Sequence, residues 1–205
     1  MAVSKPELKV TVFSDYICPF CYIGDARLNR LRTRFELKVN WCFLEIHPET
    51  SPQGEPVSSL NYPAESWKRM MATLCRMAEE ENLSLREHDF TTNSHSALQL
   101  AEASKTVDPE VFYRLHARLF EAFFCAGSNI GDLDCLHSLA LAAGMTDAQI
   151  ASAWQDEAAG RRLQRYLKAA QKLRVQATPT FFIGQRRLDG AVPVEQLMAA
   201  AEAAV

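Results

Sequence analysis

Residues 8–15 (LKVTVFSD) alternate apolar and polar positions and favour β-branched and aromatic side chains, which predicts a strand. A short turn follows at 16–19. Apolar positions at Tyr22, Ile23, Ala26, Leu28, Leu31 and Phe35 then suit a helix over 21–35. The run 37–46 (LKVNWCFLEI) predicts a second strand. Strand, helix, strand at this spacing implies a parallel pair joined by a right-handed crossover.

Prolines at 48, 52, 56 and 63 make residues 47–63 read as a loop. The next hundred or so positions carry helical periodicity. Trp67, Met70, Met71, Leu74 and Met77 mark a helix over 64–81, with the methionines expected to fill core. Another helix begins near 93–95, where Asn93 or Ser94 is the expected cap and His95 a first-turn residue; the alternative is that Asn93 and His95 line a site. Asp108-Pro109-Glu110 opens a helix that runs to about residue 126 and ends at Gly127. Asp132 caps the next, Thr146 and Gln149 form a capping box for another, and a last helix covers 157–173. The period then returns to two: 178–184 and 186–188 read as a hairpin, and Pro193 opens a C-terminal helix. The order is βαβ, several helices, then ββα. This predicts an α/β fold with one sheet built from residues 1–62 and 175–205 and an all-helical insertion over 63–174. Such an insertion is too long for a loop.

Composition adds limits. Of 205 residues, 48% are apolar and 23% charged, enough for a substantial core without disulfide staples. A net charge of −3 argues against nucleic acid as a partner. No stretch approaches 18 apolar residues, so no membrane span is expected. The N-terminal segment MAVSKPELKVTVFSDYICPFC lacks the pattern of a secretory signal, and a cytoplasmic protein is expected.

The six cysteines are Cys18, Cys21, Cys42, Cys75, Cys125 and Cys135. In a reducing compartment scattered cysteines behave as small hydrophobes, whereas a C-x-x-C pair is catalytic or metal-binding. Zinc wants four ligands, and no second C-x-x-C or H-x₃₋₅-H accompanies Cys18 and Cys21, so no metal is expected. Cys18 falls where a strand gives way to a helix, and free amides at a helix N-terminus lower a thiol pKa from about 8.5 to roughly 3.5–7.5. Pro19 suits the first helical position. Cys21 lies one turn on, placed to attack a mixed disulfide and release the bound partner. The chain thus carries a candidate attacking thiol, Cys18, and a candidate resolving thiol, Cys21. Far downstream, Thr178-Pro179 enters a strand; a cis bond there would leave the Thr178 backbone free to pair with an extended substrate.

The segments SDYICPFCYIG and TPTFFIG resemble the DsbA-type thioredoxin superfamily. NSHSALQLAEAS, LFEAFFCAGSNIGDLDCLHSLALAAGM and GAVPVEQL are similar to its FrnE-like branch, whose relatives include 2-hydroxychromene-2-carboxylate isomerase and kappa-class glutathione transferase. The resemblance spans nearly the whole chain. It implies a thioredoxin fold with a helical insertion and a redox-active Cys18–Cys21 pair facing Thr178 and Pro179, with Pro19 and Phe20 beside the substrate. It implies a protein disulfide oxidoreductase, of oxidase or isomerase type, acting on cysteine-containing proteins. Its alternative is a glutathione-dependent small-molecule isomerase or transferase. No tightly bound cofactor is expected, and glutathione is a candidate co-substrate. Two departures matter. Thioredoxin and DsbA place a buried acid six residues before the first cysteine, where Val12 stands here, so the proton relay falls to Asp15, to water or to no group, with Asp15 the candidate residue. Phe20 replaces the commoner tryptophan of the branch and, unlike the histidine of DsbA, brings no positive charge.

Elsewhere, Glu45 and His47 read as loop residues and Cys42 as inert. Phe112, Phe120, Phe123 and Phe124 are expected to pack the insertion onto the sheet or onto a partner chain, which makes a homodimer a candidate assembly. Cys125 and Cys135 flank a glycine-containing loop; two free thiols are the expectation, a second disulfide the alternative.

Overall fold

The computed structural model describes residues 5–86 and 89–205. Strand β1 (Glu7–Ser14) leads into helix α1 (Pro19–Arg30), which tightens into a 3₁₀ turn at Leu31–Thr33 before strand β2 (Glu36–Phe43). β1 and β2 are parallel, with Val12 opposite Trp41 and Ser14 opposite Phe43. The hairpin β5 (Thr180–Ile183) and β6 (Arg186–Asp189) adds antiparallel to the other side of β1, pairing Phe13 with Thr180. The sheet order is β2-β1-β5-β6, so the strand that delivers Cys18 is central and flanked by the strand that follows Pro179.

Between β2 and β5 lie α2 (Ala64–Glu80), α3 (His95–Ser104), α4 (Pro109–Glu121), α5 (Leu133–Ala143), α6 (Asp147–Gln155) and α7 (Glu157–Lys172); α8 (Val194–Glu202) closes the chain. The expected start signals act as sequence chemistry dictates. Asp108 accepts from the amides of Glu110 and Val111, Asp132 from that of Cys135, and Thr146 and Gln149 complete a capping box. Pro193 sits just before α8 rather than in its first turn.

Three local differences have physical causes. The 47–63 segment is not wholly loop: Glu55–Pro56 (β3) pairs with Phe90–Thr91 (β4), and Val57–Leu60 makes a 3₁₀ turn. Two-residue strands carry no period to read. Helix α4 passes into a π turn at Ala122–Ala126 before Gly127, at φ 69°, ends it. The expected first helix stops at Arg30, because Leu31, fully buried, turns inward toward the core ahead of β2.

The insertion is joined to the sheet by rings. Buried Tyr16 packs edge-on against Phe120, 4.9 Å between centroids, and against Phe43 of β2, which in turn meets Phe112. The phenylalanines of α4 therefore pack onto the sheet, as one of their two expected roles required. Beneath them Glu102 of α3, 2% exposed, accepts from Arg162 at 2.8 Å and Tyr166 at 3.0 Å and pairs with Lys105. Lys105 also donates to the Trp41 carbonyl at 2.7 Å.

On the opposite side Arg27 of α1, 2% exposed, donates to Glu81 at 2.9 Å, Glu80 at 2.7 Å and the Ala191 carbonyl at 2.7 Å. One guanidinium thereby ties α1 to the end of α2 and to the segment before α8. Arg27→Ala strands the buried Glu81 carboxylate near the exposed Arg30. A loss of about 3 kcal/mol is expected in urea unfolding. An unchanged midpoint would mean that Arg30 or water compensates fully.

Candidate functional site

Cys18 is the N-cap residue of α1, in extended conformation, and Pro19 holds the first helical position. The Cys21 amide donates to the Cys18 carbonyl at 2.9 Å, which folds the second cysteine back one turn beneath the first. Both are buried thiols, Cys18 5% and Cys21 2% exposed. Across from them the Thr178–Pro179 bond is cis, and the Cys18 thiol donates to the Thr178 carbonyl at 3.3 Å. Residues 160 positions apart in sequence thus meet at one sulfur.

The two sulfurs are electrostatically unequal. The Cys18 thiol is drawn below its ordinary range, chiefly by the hydrogen bond from the Cys21 thiol, with help from the Thr178 side chain and the Cys21 amide. Burial opposes this, as does the nearby Asp15 carboxylate. Cys21 is pushed well up, first by burial and then by its bond to Cys18. The Ser14 hydroxyl and the Asp15 amide, 3.5 Å from the Cys21 sulfur, pull weakly the other way. A nucleophile needs the first condition and a protonated reserve thiol the second.

Asp15 is fully buried. Its Oδ1 accepts from the Ile17 amide at 3.3 Å; its Oδ2 accepts from the Ile46 amide at 2.8 Å and the Ser94 hydroxyl at 3.0 Å. Desolvation outweighs these three donors and, with the negative charge of Glu45, raises the carboxyl from 3.8 to about 7. Val12, at the place of the acid in related folds, is buried and apolar.

The NSH segment has a double role that its residues did not advertise. Asn93 accepts from the His95 amide at 2.8 Å, so it performs the capping, while its Nδ2 donates to the Pro48 carbonyl at 3.0 Å. Ser94, although it stands at the N-cap of α3, makes no cap bond and turns to Asp15 instead. His95 pairs with Glu45 at 2.5 Å. Thr92 and Asn129 also donate to the Pro52 carbonyl, at 3.2 and 2.8 Å, so the insertion clamps the 47–54 loop beside the thiols.

A groove of about 620 Å³ opens from Cys18 and Phe20 along α2. Trp67, Met70, Met71, Leu74 and Phe124 line it, with Lys68 and Arg86 among its polar residues. Met70 is therefore half-buried wall rather than core filling, whereas Met71 lines the groove and, with Met77, also packs against the buried cluster of Ile23, Leu74 and Ala78, because α2 turns its apolar stripe toward the groove as well as the core. Cys75 lines the same groove; Cys42 is buried, with its thiol pushed up to about 11. Cys125 donates to the Ser84 carbonyl at 3.1 Å and touches the Tyr22 hydroxyl, and Cys135 lies in the first turn of α5, both as free thiols.

The profile of the DsbA-like thioredoxin domain matches residues 9–202. The chain belongs to the DsbA-like thioredoxin family. A Bacillus subtilis (strain 168) protein, the uncharacterized YwbO, is 29% identical over 183 residues, covering 89% of this chain and 90% of its own. Among solved structures, the probable DsbA oxidoreductase SCO1869 of Streptomyces coelicolor superposes with a TM-score of 0.82 at 22% identity, covering 96% of this chain and 89% of that one. A 2-hydroxychromene-2-carboxylate isomerase gives 0.70 at 17%, covering 95% and 93%. The cytosolic disulfide reductase DsbM of Pseudomonas aeruginosa, solved with GSH, gives 0.67 at 16%, covering 96% and 95%. At these identities the structural likenesses establish the fold, including the helical insertion of this DsbA-like protein. No helix among the described residues is long and apolar enough to cross a membrane.

Gly24 was not singled out by its sequence context. A Cβ there would lie 2.8 Å from Pro179 Cγ and 3.1 Å from Phe181 Cζ, so the bare backbone lets α1 rest against the proline opposite the thiols. Gly24→Ala is expected to force α1 and residue 179 apart, with about 1–3 kcal/mol of destabilisation. A fall of roughly tenfold in thiol–disulfide exchange should accompany it. Unfolding curves and an exchange assay read the two effects separately; no change in either would show that the contact does not constrain the site.

Proposed function

We propose that this DsbA-like protein is a protein thiol–disulfide oxidoreductase in which Cys18 attacks and Cys21 resolves. The observation that supports it is the Cys18 sulfur, acidified at the start of α1 and hydrogen-bonded to the Thr178 carbonyl beside Pro179. The Cys18 thiolate attacks one sulfur of a client disulfide, forming a mixed disulfide and expelling the other client sulfur as a thiolate. Cys21 then gives its proton to the Asp15 carboxylate and attacks the Cys18 sulfur. A Cys18–Cys21 disulfide forms and the second client thiolate leaves, so the client gains two electrons and the protein loses two. The reverse sequence oxidises a client dithiol. An extended client pairs with the Thr178 backbone, and the apolar groove beside Phe20 receives a neighbouring large side chain.

Glutathione is the second reading, as co-substrate or as the cofactor of a small-molecule conversion. It is favoured by the resemblance of the fold to a disulfide reductase solved with GSH and by Lys68 and Arg86 in the groove. We place the protein in a reducing, cytoplasmic setting, where the reduction potential of the pair against that of the compartment sets the direction of turnover. Insulin reduction and refolding of scrambled ribonuclease test the first reading. Activity of the purified protein that Cys18→Ser removes supports it. Inactivity on proteins together with glutathione-dependent turnover of a small electrophile would favour the second.

A further inference from the structure

Two of the three donors to the Asp15 carboxyl are backbone amides, of Ile17 and Ile46, that flank the sheet. The third is a side chain contributed by the insertion, Ser94, 2% exposed. A serine at an N-cap ordinarily accepts from its own helix. Ser94 does not, because Asn93 has taken that task, and its hydroxyl is released to reach across to β1's end. We infer that Ser94 is a positioning residue of the thiol pair, holding the Asp15 carboxylate ready to accept a proton. This rests on the reading that Asp15 takes the proton of Cys21.

The electrostatics give the direction. A hydroxyl aimed at a carboxyl stabilises its ionised form. Burial opposes ionisation, as do the charge of Glu45 and a Cys18 thiolate; Tyr16 also faces the carboxyl, the Cys21 sulfur accepts from the Asp15 backbone amide at 3.5 Å, and His95 partly neutralises Glu45. Without the Ser94 hydroxyl the balance tips toward the acid form. A protonated Asp15 has no room for another proton, so the resolving thiol stays protonated and closure of the Cys18–Cys21 disulfide slows. α3 is held by its own buried face, Ala97, Leu98 and Ala101, so loss of one hydroxyl leaves the helix in place.

The test uses the full chain with carboxyl-labelled aspartate. NMR follows the Asp15 signal, assigned through Asp15→Asn, while stopped-flow measures disulfide closure with a fluorescent disulfide peptide from pH 5 to 9. Ser94→Ala is expected to raise both the carboxyl midpoint and the rate midpoint by about one pH unit, roughly fivefold slower closure at neutrality. Ser94→Thr, which keeps the hydroxyl, is expected to restore both. Midpoints in Ser94→Ala equal to those of the unmodified chain would overturn the inference, as would a carboxyl that moves while the rate profile stays still. A different failure marks the underlying reading: if Asp15→Asn closes its disulfide with an unaltered pH profile, Asp15 carries no proton, whatever Ser94 does.

Discussion

Cys18→Ser is expected to bring insulin reduction down to the uncatalysed background, a loss on the order of 10³-fold or more. Oxygen cannot enter the exchange: a serine forms no mixed disulfide, so the first step is removed rather than slowed. The fold should survive, since the substitution exchanges a sulfur for a smaller atom at a position 5% exposed, and that position is the N-cap of α1, where serine is favoured. Cys21→Ser should differ in kind. Its Cys18 attacks as before, but the mixed disulfide has no internal partner to discharge it, and client protein accumulates covalently attached. Mass spectrometry of the trapped adduct distinguishes the two variants. Full insulin reduction by Cys18→Ser would end the assignment of Cys18.

Asp15→Asn should alter the dependence of stability on pH strongly. The unfolded carboxyl titrates near its ordinary 3.8, the folded one at about 7. Below the lower value both states are protonated and the native environment suits the neutral acid. As pH rises between the two values the unfolded chain releases its proton while the native protein holds on, so stability falls throughout that window and levels off above about 7. The total corresponds to about 4 kcal/mol. Asparagine has no proton to lose. The difference in unfolding free energy between variant and parent should therefore grow in the variant's favour from pH 4 to 7, independently of any fixed cost from a misdirected amide. Because the Asp15 charge also opposes the Cys18 thiolate, the variant's Cys18 should ionise at lower pH, visible in thiolate absorbance. A stability difference flat in pH would show that Asp15 does not titrate in this range.

Much of this was legible beforehand because regular elements announce themselves. The alternation of β1, the caps at Asp108, Asp132 and Thr146, and the C-P-F-C junction each obey local chemistry that neighbouring residues express together. What escaped is what long-range contact creates. Ser94 looks like any serine before a helix; only the approach of α3 to β1 gives it a carboxylate. Gly24 matters through Pro179, 155 positions later, and nothing in its own helix requires a glycine. β3 and β4 are too short for periodicity and exist because two loops are pinned side by side. Met70 and Met71 share the helical stripe of core residues, and the sequence holds no sign that part of the stripe faces an opening.

The strand order has a consequence for synthesis. β1, α1 and β2 leave the ribosome ahead of the hairpin, with both cysteines already in place, yet β1's second neighbour is β5, which pairs Thr180 with Phe13. Closing so long a stretch of chain is slow compared with local helix formation. A nascent chain therefore carries Cys18 well before the Thr178–Pro179 backbone that lies against it has been made. Until residues 178–183 have been made, a helper that shields residues 7–43, or a pool of small thiols that keeps them reduced, is what would stand between Cys18 and indiscriminate coupling.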